Sequence, residues 1–329
     1  MPHNVIHMNA GRLASRLVRR FCTQAKSLSN SEVTKKRNDL FTKEKARQIA
    51  NISRLEKIQV QHIGPPEECT LLMNKGLSTP FNCAMHIQEL LVTRSVVALV
   101  NGQPWDMHKP LVEDCELQFL HFKDEDAKIP NEVLWRTGSY ILGYVLENAF
   151  KDNFYVELCS FPKPDVRSGS FVYDADLKTQ HWQPSPTELN CLSAIGFKLQ
   201  CYDIKFEPLE VDASVALTMF KSAQIPEIAA TSATGNTITV YRMGTHIDIT
   251  RGPLIASTNL IYRYSVTAIH DIESPDYGPL KRVQGIIMPQ QLPIHYWTYE
   301  FLSERATKLN PAPVPSLKSK QKLAAENGS

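Results

Sequence analysis

The feature that most constrains the fold of this chain is an apolar stretch between Asn131 and Phe150, NEVLWRTGSYILGYVLENAF. Arg136, Tyr140 and Tyr144 follow one another at intervals of four, so their side chains stack over successive turns of a helix. The apolar residues recur every three or four positions and form an adjacent face: Leu134, Gly138, Ile141, Leu142, Val145, Leu146 and Ala149. The stretch therefore predicts a helix with a buried face, around which a domain is built.

Length and composition allow about two domains in a chain of 329 residues and exclude some classes of protein. No apolar run approaches the roughly 18 residues that span a bilayer, so membrane insertion is not expected. The seven cysteines are scattered and include no Cys-x-x-Cys pair, so neither a zinc ribbon nor a disulfide framework is indicated. Reduced thiols in an intracellular compartment are the expected state.

Charge is distributed unevenly along the chain. Residues 1–57 carry 13 Lys or Arg against 4 Asp or Glu, whereas residues 58–302 carry 18 basic and 28 acidic side chains. Residues 303–329 are basic again, with 5 Lys or Arg against 2 Glu. Phosphate attracts basic segments and repels acidic ones. If this protein binds nucleic acid, its two ends are expected to dominate the contact.

Residues 1–23 have the composition of a mitochondrial transit peptide. Arg12, Arg16, Arg19 and Arg20 line one face of a potential helix, and the first acidic residue of the chain is Glu32. An Arg-rich, Ser-containing, acid-free and amphipathic leader favours import into the mitochondrial matrix, with removal after Arg20. The alternative is a disordered basic arm that stays attached and binds RNA.

Residues 24–57 predict a second basic segment, which is helical, with Asn38 as its candidate N-cap. Positive charges in such a segment usually belong to a solvated helical face. Because the acidic body cannot supply positive charge, we interpret this helix instead as one that docks on RNA. The RNA-binding candidates are Lys35, Lys36, Arg37, Lys43, Lys45, Arg47 and Arg54.

Residues 58–125 alternate between strand-like and helical patterns and predict a small β-grasp domain. The run IQVQHI alternates apolar and polar residues, CTLLM returns as a hairpin, and residues 82–91 form a short helix. An Asn101-Gly102 turn then joins two further strand-like runs. The order of these elements resembles the TGS domain, the ubiquitin-like unit at the N-terminus of threonyl-tRNA synthetases.

Residues 131–309 resemble the editing domain of threonyl-tRNA synthetases, so the predicted fold class is α+β throughout. The resemblance places the His-x-x-x-His motif of that family at Arg136 and Tyr140. It places the Cys-x-Gly-Pro-His motif at Thr250-Arg251-Gly252-Pro253-Leu254, where Arg251, Gly252 and Pro253 are kept but Thr250 and Leu254 replace the Cys and the His. We call Arg136, Tyr140, Thr250 and Leu254 the degenerate site.

The degenerate site predicts a protein that is not an enzyme, with no catalytic residue, metal or cofactor. Hydrolysis of a mischarged aminoacyl ester needs a base or a metal within reach of water. Arg136 stays protonated, Tyr140 titrates near pH 10, and Leu254 is apolar. Thr250 offers a hydroxyl group, but the His that would activate it is missing.

Residues 310–329 are Pro-rich and then Lys-rich, which predicts a disordered basic tail where the aminoacylation core of a synthetase would begin. A leader, a TGS-like domain and a degenerate editing domain together resemble a family of synthetase-derived proteins of the mitochondrial large ribosomal subunit. The resemblance implies a structural component in mitochondrial translation, which binds ribosomal RNA and neighbouring ribosomal proteins. Two alternatives stay open: a trans-editing hydrolase of mischarged threonine tRNA, and a non-catalytic tRNA-binding regulator.

Overall fold

The fold is α+β, as predicted, in a computed structural model that describes residues 29–179, 182–220 and 237–315. The predicted transit peptide, residues 1–23, lies outside these described residues. The described residues form three sheets: a five-stranded sheet in the β-grasp domain, and a three-stranded and a four-stranded sheet in the editing-like domain. Within the part of the chain that the structure describes, no helix is long and apolar enough to cross a membrane.

The first helix among the described residues, α1 (Asn30–Ala50), begins eight residues earlier than the predicted N-cap at Asn38. Ser29 is the actual cap: its hydroxyl accepts from the backbone N–H of Glu32, and the Glu32 carboxylate accepts from the Ser29 N–H. The Asn38 amide instead donates to Thr34 O, inside the helix. The prediction of Asn38 was wrong because a capping box at Ser29, nine residues upstream, starts the helix and satisfies its free N–H groups.

The β-grasp domain forms a five-stranded sheet in the order β2-β1-β5-β3-β4. Its central pair, β1 and β5, is parallel, and the other neighbours are antiparallel. The predicted hairpin turn at Asn101 and Gly102 has φ values of 50° and 75°, as a tight hairpin requires. The elements are β1 (Lys57–His62), β2 (Cys69–Asn74), α2 (Pro80–Ile87), α3 (Glu89–Arg94), β3 (Val97–Val100), β4 (Gln103–Trp105) and β5 (Cys115–Leu120).

The editing-like domain is built around the helix that the apolar stretch predicts, α4 (Lys128–Ala149). This helix lies on a four-stranded sheet in the order β11-β12-β7-β6. Contact is close at Gly138, where a Cβ would lie 2.6 Å from the ring of Phe171. The other elements are β6 (Glu157–Ser160), β7 (Phe171–Asp176), α5 (Pro186–Lys198), β11 (Ile261–Ser274), β12 (Gly278–Pro289) and α7 (Tyr296–Arg305).

A three-stranded sheet in the order β10-β9-β8 completes the domain, and α1 packs against it. The Phe41 side chain of α1 is fully buried in the apolar cluster between this sheet and α6. The N-terminal helix is therefore part of the folded body rather than an appendage. The elements are β8 (Phe206–Val211), α6 (Ala213–Met219), β9 (Ile238–Met243) and β10 (His246–Ile249).

The longest strand, β11, is an element that the sequence analysis did not predict. Its 14 residues pair with β12, but the register shifts between Ile261 and Arg263 and again between Val266 and Ala268. Each shift breaks the two-residue alternation of buried and exposed side chains. The strand therefore lacks the periodicity by which strands are recognised in a sequence.

The first residues of the predicted disordered tail are ordered, which corrects the prediction for residues 310–315. The guanidinium of Arg282 forms a bidentate ion pair with Asp174. It also donates to the carbonyl groups of Asn310, Ala312 and Pro313. The Asn310 amide donates to Ser170 O at 2.7 Å. A buried cation thus holds this segment against the sheet; residues 316–329 lie outside the described residues.

Candidate functional site

The two halves of the degenerate site lie side by side and are filled by their own side chains. Arg136 and Tyr140 occupy successive turns of α4, and Thr250 and Leu254 lie in the segment that follows β10. All four are buried, with at most 8% of any residue exposed. The structure places Arg136 beside Gly252 and Pro253, and packed side chains fill this region.

Arg136 joins the two halves. Its Nη1 donates to the carbonyl of Pro253 at 3.0 Å. Its guanidinium lies so close to Gly252 (φ 108°) that a Cβ there would be 3.2 Å from the guanidinium carbon. Burial lowers the pKa of Arg136, but a guanidinium stays charged in proteins. Arg136 therefore serves as a buried cationic strut rather than a base.

Tyr140, which the resemblance places at the second histidine of the His-x-x-x-His motif, is fully buried. Its hydroxyl group donates to the carbonyl of Tyr241 at 2.8 Å and lies 3.3 Å from the carbonyl of His246. Burial raises the pKa of Tyr140 well above its ordinary value of 10. The phenol is thus a hydrogen-bond donor that ties α4 to β9 and β10, and it cannot act as a base near neutral pH.

The remaining two positions offer little chemistry. The Leu254 side chain is buried, and its backbone N–H donates to Asp106 at 3.0 Å. The hydroxyl of Thr250 has no hydrogen-bond partner among the described residues. A hydroxyl without a neighbouring base is a weak nucleophile.

Asp106, from the β-grasp domain, is a residue of this site that the sequence analysis missed. Its carboxylate accepts from the N–H of Leu254 and lies 2.8 Å from the hydroxyl of Tyr241, which in turn lies 3.1 Å from the carbonyl of Gly252. Burial raises the pKa of Asp106 from 3.8 to about 6. A contact across 148 residues leaves no local signal in the sequence.

A second buried network, next to the degenerate site, involves the N-terminal helix. Arg37 of α1 forms an ion pair with Glu147 of α4 at 2.7 Å, and the other oxygen of Glu147 lies 2.6 Å from Nδ1 of His246. Burial by itself would raise the pKa of Glu147, but His246 and Arg37 lower it to about 2. Arg37 also donates to the carbonyl of Met219.

Glu147 and His246 have the arrangement of a histidine base oriented by a carboxylate, which is the arrangement of many catalytic centres. The Nε2 atom of His246 has no hydrogen-bond partner among the described residues. It faces the backbone of α4, since a Cβ at Gly143 would lie 3.2 Å from it. The imidazole also packs against the edges of Tyr140 and Tyr144. Helix backbone and aromatic rings therefore occupy the space that a substrate would need.

The structure also divides the seven RNA-binding candidates. Arg37 is removed from the set, because its guanidinium is buried and neutralised by Glu147. Lys45 is half-buried and pairs with Glu207, and Arg47 is exposed but pairs with Glu44, both at 2.7 Å. The exposed candidates that form no ion pair with another described residue are Lys35, Lys36, Lys43 and Arg54.

Two kinds of similarity to known proteins agree with this geometry. The TGS domain family matches residues 69–121, from the start of β2 to the residue after β5. Large ribosomal subunit protein mL39 of Drosophila melanogaster is 41% identical over 310 residues, which cover 92% of this chain and 92% of that protein.

Threonine–tRNA ligases are more distant relatives. Threonine–tRNA ligase 1, cytoplasmic, of Homo sapiens is 31% identical over 227 residues, or 67% of this chain and 29% of the ligase. The probable threonine–tRNA ligase 1, cytoplasmic, of Dictyostelium discoideum is 27% identical over 270 residues, or 80% of this chain and 36% of the ligase. The chain therefore spans about a third of the length of these ligases.

Proposed function

Because the chain belongs to the family of large ribosomal subunit protein mL39, we propose that it is a structural component of the large subunit of the mitochondrial ribosome. The observation that carries this proposal is the identity of 41%, which extends over 92% of both proteins. The import-like leader and the basic N-terminal segment are consistent with it. Residues 1–23 then direct import into the matrix, and the mature chain comprises the basic helical extension 24–57, the TGS-like domain 58–125 and the editing-like domain 131–309.

Co-sedimentation tests the proposal. Mitochondrial lysate is separated on a sucrose gradient, and the protein is expected to travel with the large subunit and with the intact ribosome. Washing with EDTA, which separates the subunits, should leave it with the large one. Recovery mainly in the low-mass fractions would overturn the proposal.

Within the subunit, α1 acts as an adaptor between the folded body and ribosomal RNA. Its inner face is buried through Val33, Arg37, Phe41 and Glu44, which recur at helical spacing. Lys35, Lys36, Lys43 and Arg47 are exposed and, by their spacing, lie outside that inner face, Lys35 opposite to it and the others along one flank; together they form the outer face of α1. Such a face can meet phosphates without unfolding the helix. The acidic body is left to contact neighbouring ribosomal proteins, which are its other partners.

The outer face of α1 predicts a measurable salt dependence. Each neutralised phosphate adds about 0.7 to 0.9 units to the slope of log affinity against log salt. Replacing Lys35, Lys36 and Lys43 by Gln should therefore lower the slope of binding to ribosomal RNA by about two units. Replacing three exposed lysines of the body, Lys123, Lys151 and Lys163, by Gln is the matched control, and it should change the slope little. A slope unchanged by the triple substitution would contradict this role of the helix.

The protein has no catalytic role of its own in this proposal. Its support is the chemistry of the degenerate site, where a buried guanidinium and a buried phenol stand in place of two imidazoles. A trans-editing hydrolase is not favoured, since it would require those imidazoles. A tRNA-binding regulator is not favoured either, because the body carries ten more acidic than basic residues and repels phosphate.

A further inference from the structure

The last helix, α7, presents large aromatic side chains to solvent. Trp297 is 70% exposed and Phe301 is 66% exposed, although they are the residues that usually gain most from burial. They stand four positions apart and so lie on the same face, one turn from each other. The opposite face buries Tyr299 and is followed by the buried Ala306.

The exposed face continues along the same segment of the chain. Leu292 precedes the helix and Leu309 follows it, and both are more than 40% exposed. Tyr296, at the first turn, is also exposed. Scattered exposed apolar residues need no explanation, but a group confined to one short segment marks an interaction site.

Helix α7 is held rigidly enough to present this face. The hydroxyl groups of Tyr299 and Ser265 lie 2.7 Å apart, and the hydroxyl of Thr267 donates to the carbonyl of Ala306 at 2.9 Å. The guanidinium of Arg263 lies over the ring of Tyr299, 5.0 Å from its centre, and near the ring of Tyr296. A face that is fixed before binding loses little entropy when a partner docks.

The charges around the aromatic face decide what kind of partner it suits. Glu300 and Glu304 follow Trp297 by three and seven positions, so both border its face. Two cations lie nearby: Arg263 of the neighbouring strand is engaged with aromatic rings, and the guanidinium of Arg305, four positions after Phe301, packs against Gly169. Nucleotide bases could stack on Trp297, but their phosphates would then meet carboxylates and an acidic body.

We propose that the Trp297–Phe301 face of α7 docks an apolar segment, flanked by Lys or Arg, of a neighbouring protein in the large subunit. Protein–protein interfaces usually place aromatic anchors at the centre and polar or charged side chains at the rim. This inference rests on the proposed function, and it names one of the protein contacts that the acidic body makes.

Photo-crosslinking in the intact particle tests the proposal. Benzoylphenylalanine replaces Phe301 in the full chain, the large subunit is isolated from mitochondria, and crosslinked peptides are identified by mass spectrometry. The expected product joins position 301 to an apolar peptide with flanking Lys or Arg from another protein. The same reagent in place of the exposed Thr70, on β2, is the control, and it should not give that product.

Charge reversal provides the second arm. Combining Glu300→Lys and Glu304→Lys should lower the yield of the protein crosslink about tenfold, because like charges then face each other. A crosslink to RNA, to a second copy of this chain, to its own residues 1–28 or 316–329, or no crosslink would overturn the inference. Sedimentation of the same variants separates the two proposals. If the chain that carries benzoylphenylalanine at position 301 but keeps Glu300 and Glu304 stays with the large subunit without giving the crosslink, only the docking face is refuted. Absence of the chain with native α7 from the large subunit refutes the proposed function.

Discussion

Replacing Arg37 by Met should loosen α1 from the body. The substitution keeps most of the apolar stem but removes the guanidinium, which is 2.7 Å from Glu147. Glu147 then stays buried with His246 as its single close partner in this network. Removal of one member of a buried ion pair costs about 3–5 kcal/mol, since the other charge loses its compensation.

Hydrogen exchange of the α1 amides measures this cost directly. Undocking of α1 sets the exchange rate, and 1.36 kcal/mol corresponds to a factor of ten. A loss of about 3 kcal/mol therefore speeds exchange by roughly 150-fold at pH 7. Lys36→Met is the matched control: it removes a neighbouring cation that is exposed, and it should change the free energy of undocking by less than about 0.5 kcal/mol.

A second substitution separates charge from packing. Adding Glu147→Gln removes the uncompensated carboxylate, so the double variant should be more stable than the sum of the two single losses, by about 1 kcal/mol or more. Exchange in Arg37→Met within threefold of the wild-type rate would refute the reasoning. It would mean that Phe41 and the other apolar contacts of α1 hold the helix by themselves.

The same ion pair predicts a dependence on pH. The pKa of Glu147 lies at about 2 in the folded protein, below its ordinary value of 4.5. A depressed carboxyl pKa contributes stability that is present above pH 4.5 and is lost as the pH falls toward 2. In Arg37→Met one of the two groups that oppose the effect of burial is gone, so the pKa of Glu147 rises. The loss of α1 protection on acidification should then begin at a higher pH than in the wild type.

Three further predictions concern the degenerate site and the tail. The pKa of Asp106 is raised from 3.8 to about 6, so its contribution to stability is present below pH 3.8 and is lost as the pH rises through 6. Asp106→Asn should therefore gain stability relative to the wild type between pH 4 and pH 7, as measured by urea unfolding, whereas a difference equal at both pH values would refute the raised pKa. Arg282→Met should lower the free energy of unfolding by about 3–5 kcal/mol, because Asp174 then stays buried without its cation. It should also speed tryptic cleavage after Lys308, because the carbonyl groups of Asn310, Ala312 and Pro313 lose their common donor. An unchanged cleavage rate would show that Asn310 holds the segment alone. The purified protein should not accelerate the hydrolysis of threonine tRNA that is mischarged with serine. A deacylation rate that rises in proportion to the protein concentration and is abolished by Thr250→Ala would contradict a non-catalytic site.

The elements that the sequence predicted are those with a local signal. The periodicity around Tyr140 gave helix α4, and the Asn101-Gly102 pair gave the hairpin between β3 and β4. The strand β11 was missed because two register shifts interrupt its alternation. The cap at Asn38 was assigned wrongly because the capping box at Ser29 is equally local and lies further upstream.

The sequence analysis was least successful in predicting which charged residues are buried and which are exposed. Arg37 and Lys36 are adjacent residues of one basic run, yet one is buried against Glu147 and the other faces solvent. Residues 310–315 have the composition of a disordered tail, but Arg282 binds their carbonyl groups. Composition reports how many charges a segment carries, and the tertiary fold decides which of them meet a partner.

The sequence by itself determined the α+β class, the TGS-like domain and the identity of the residues at the degenerate site. Each of these depends on residue types and on spacings along the chain, which a sequence states directly. Only the tertiary structure decided that Arg136 and Tyr140 fill their site, that Asp106 reaches it from the β-grasp domain, and that Arg37 fastens α1 to α4. The last two contacts join residues more than 100 positions apart, and a buried charge or polar group finds its partner through space.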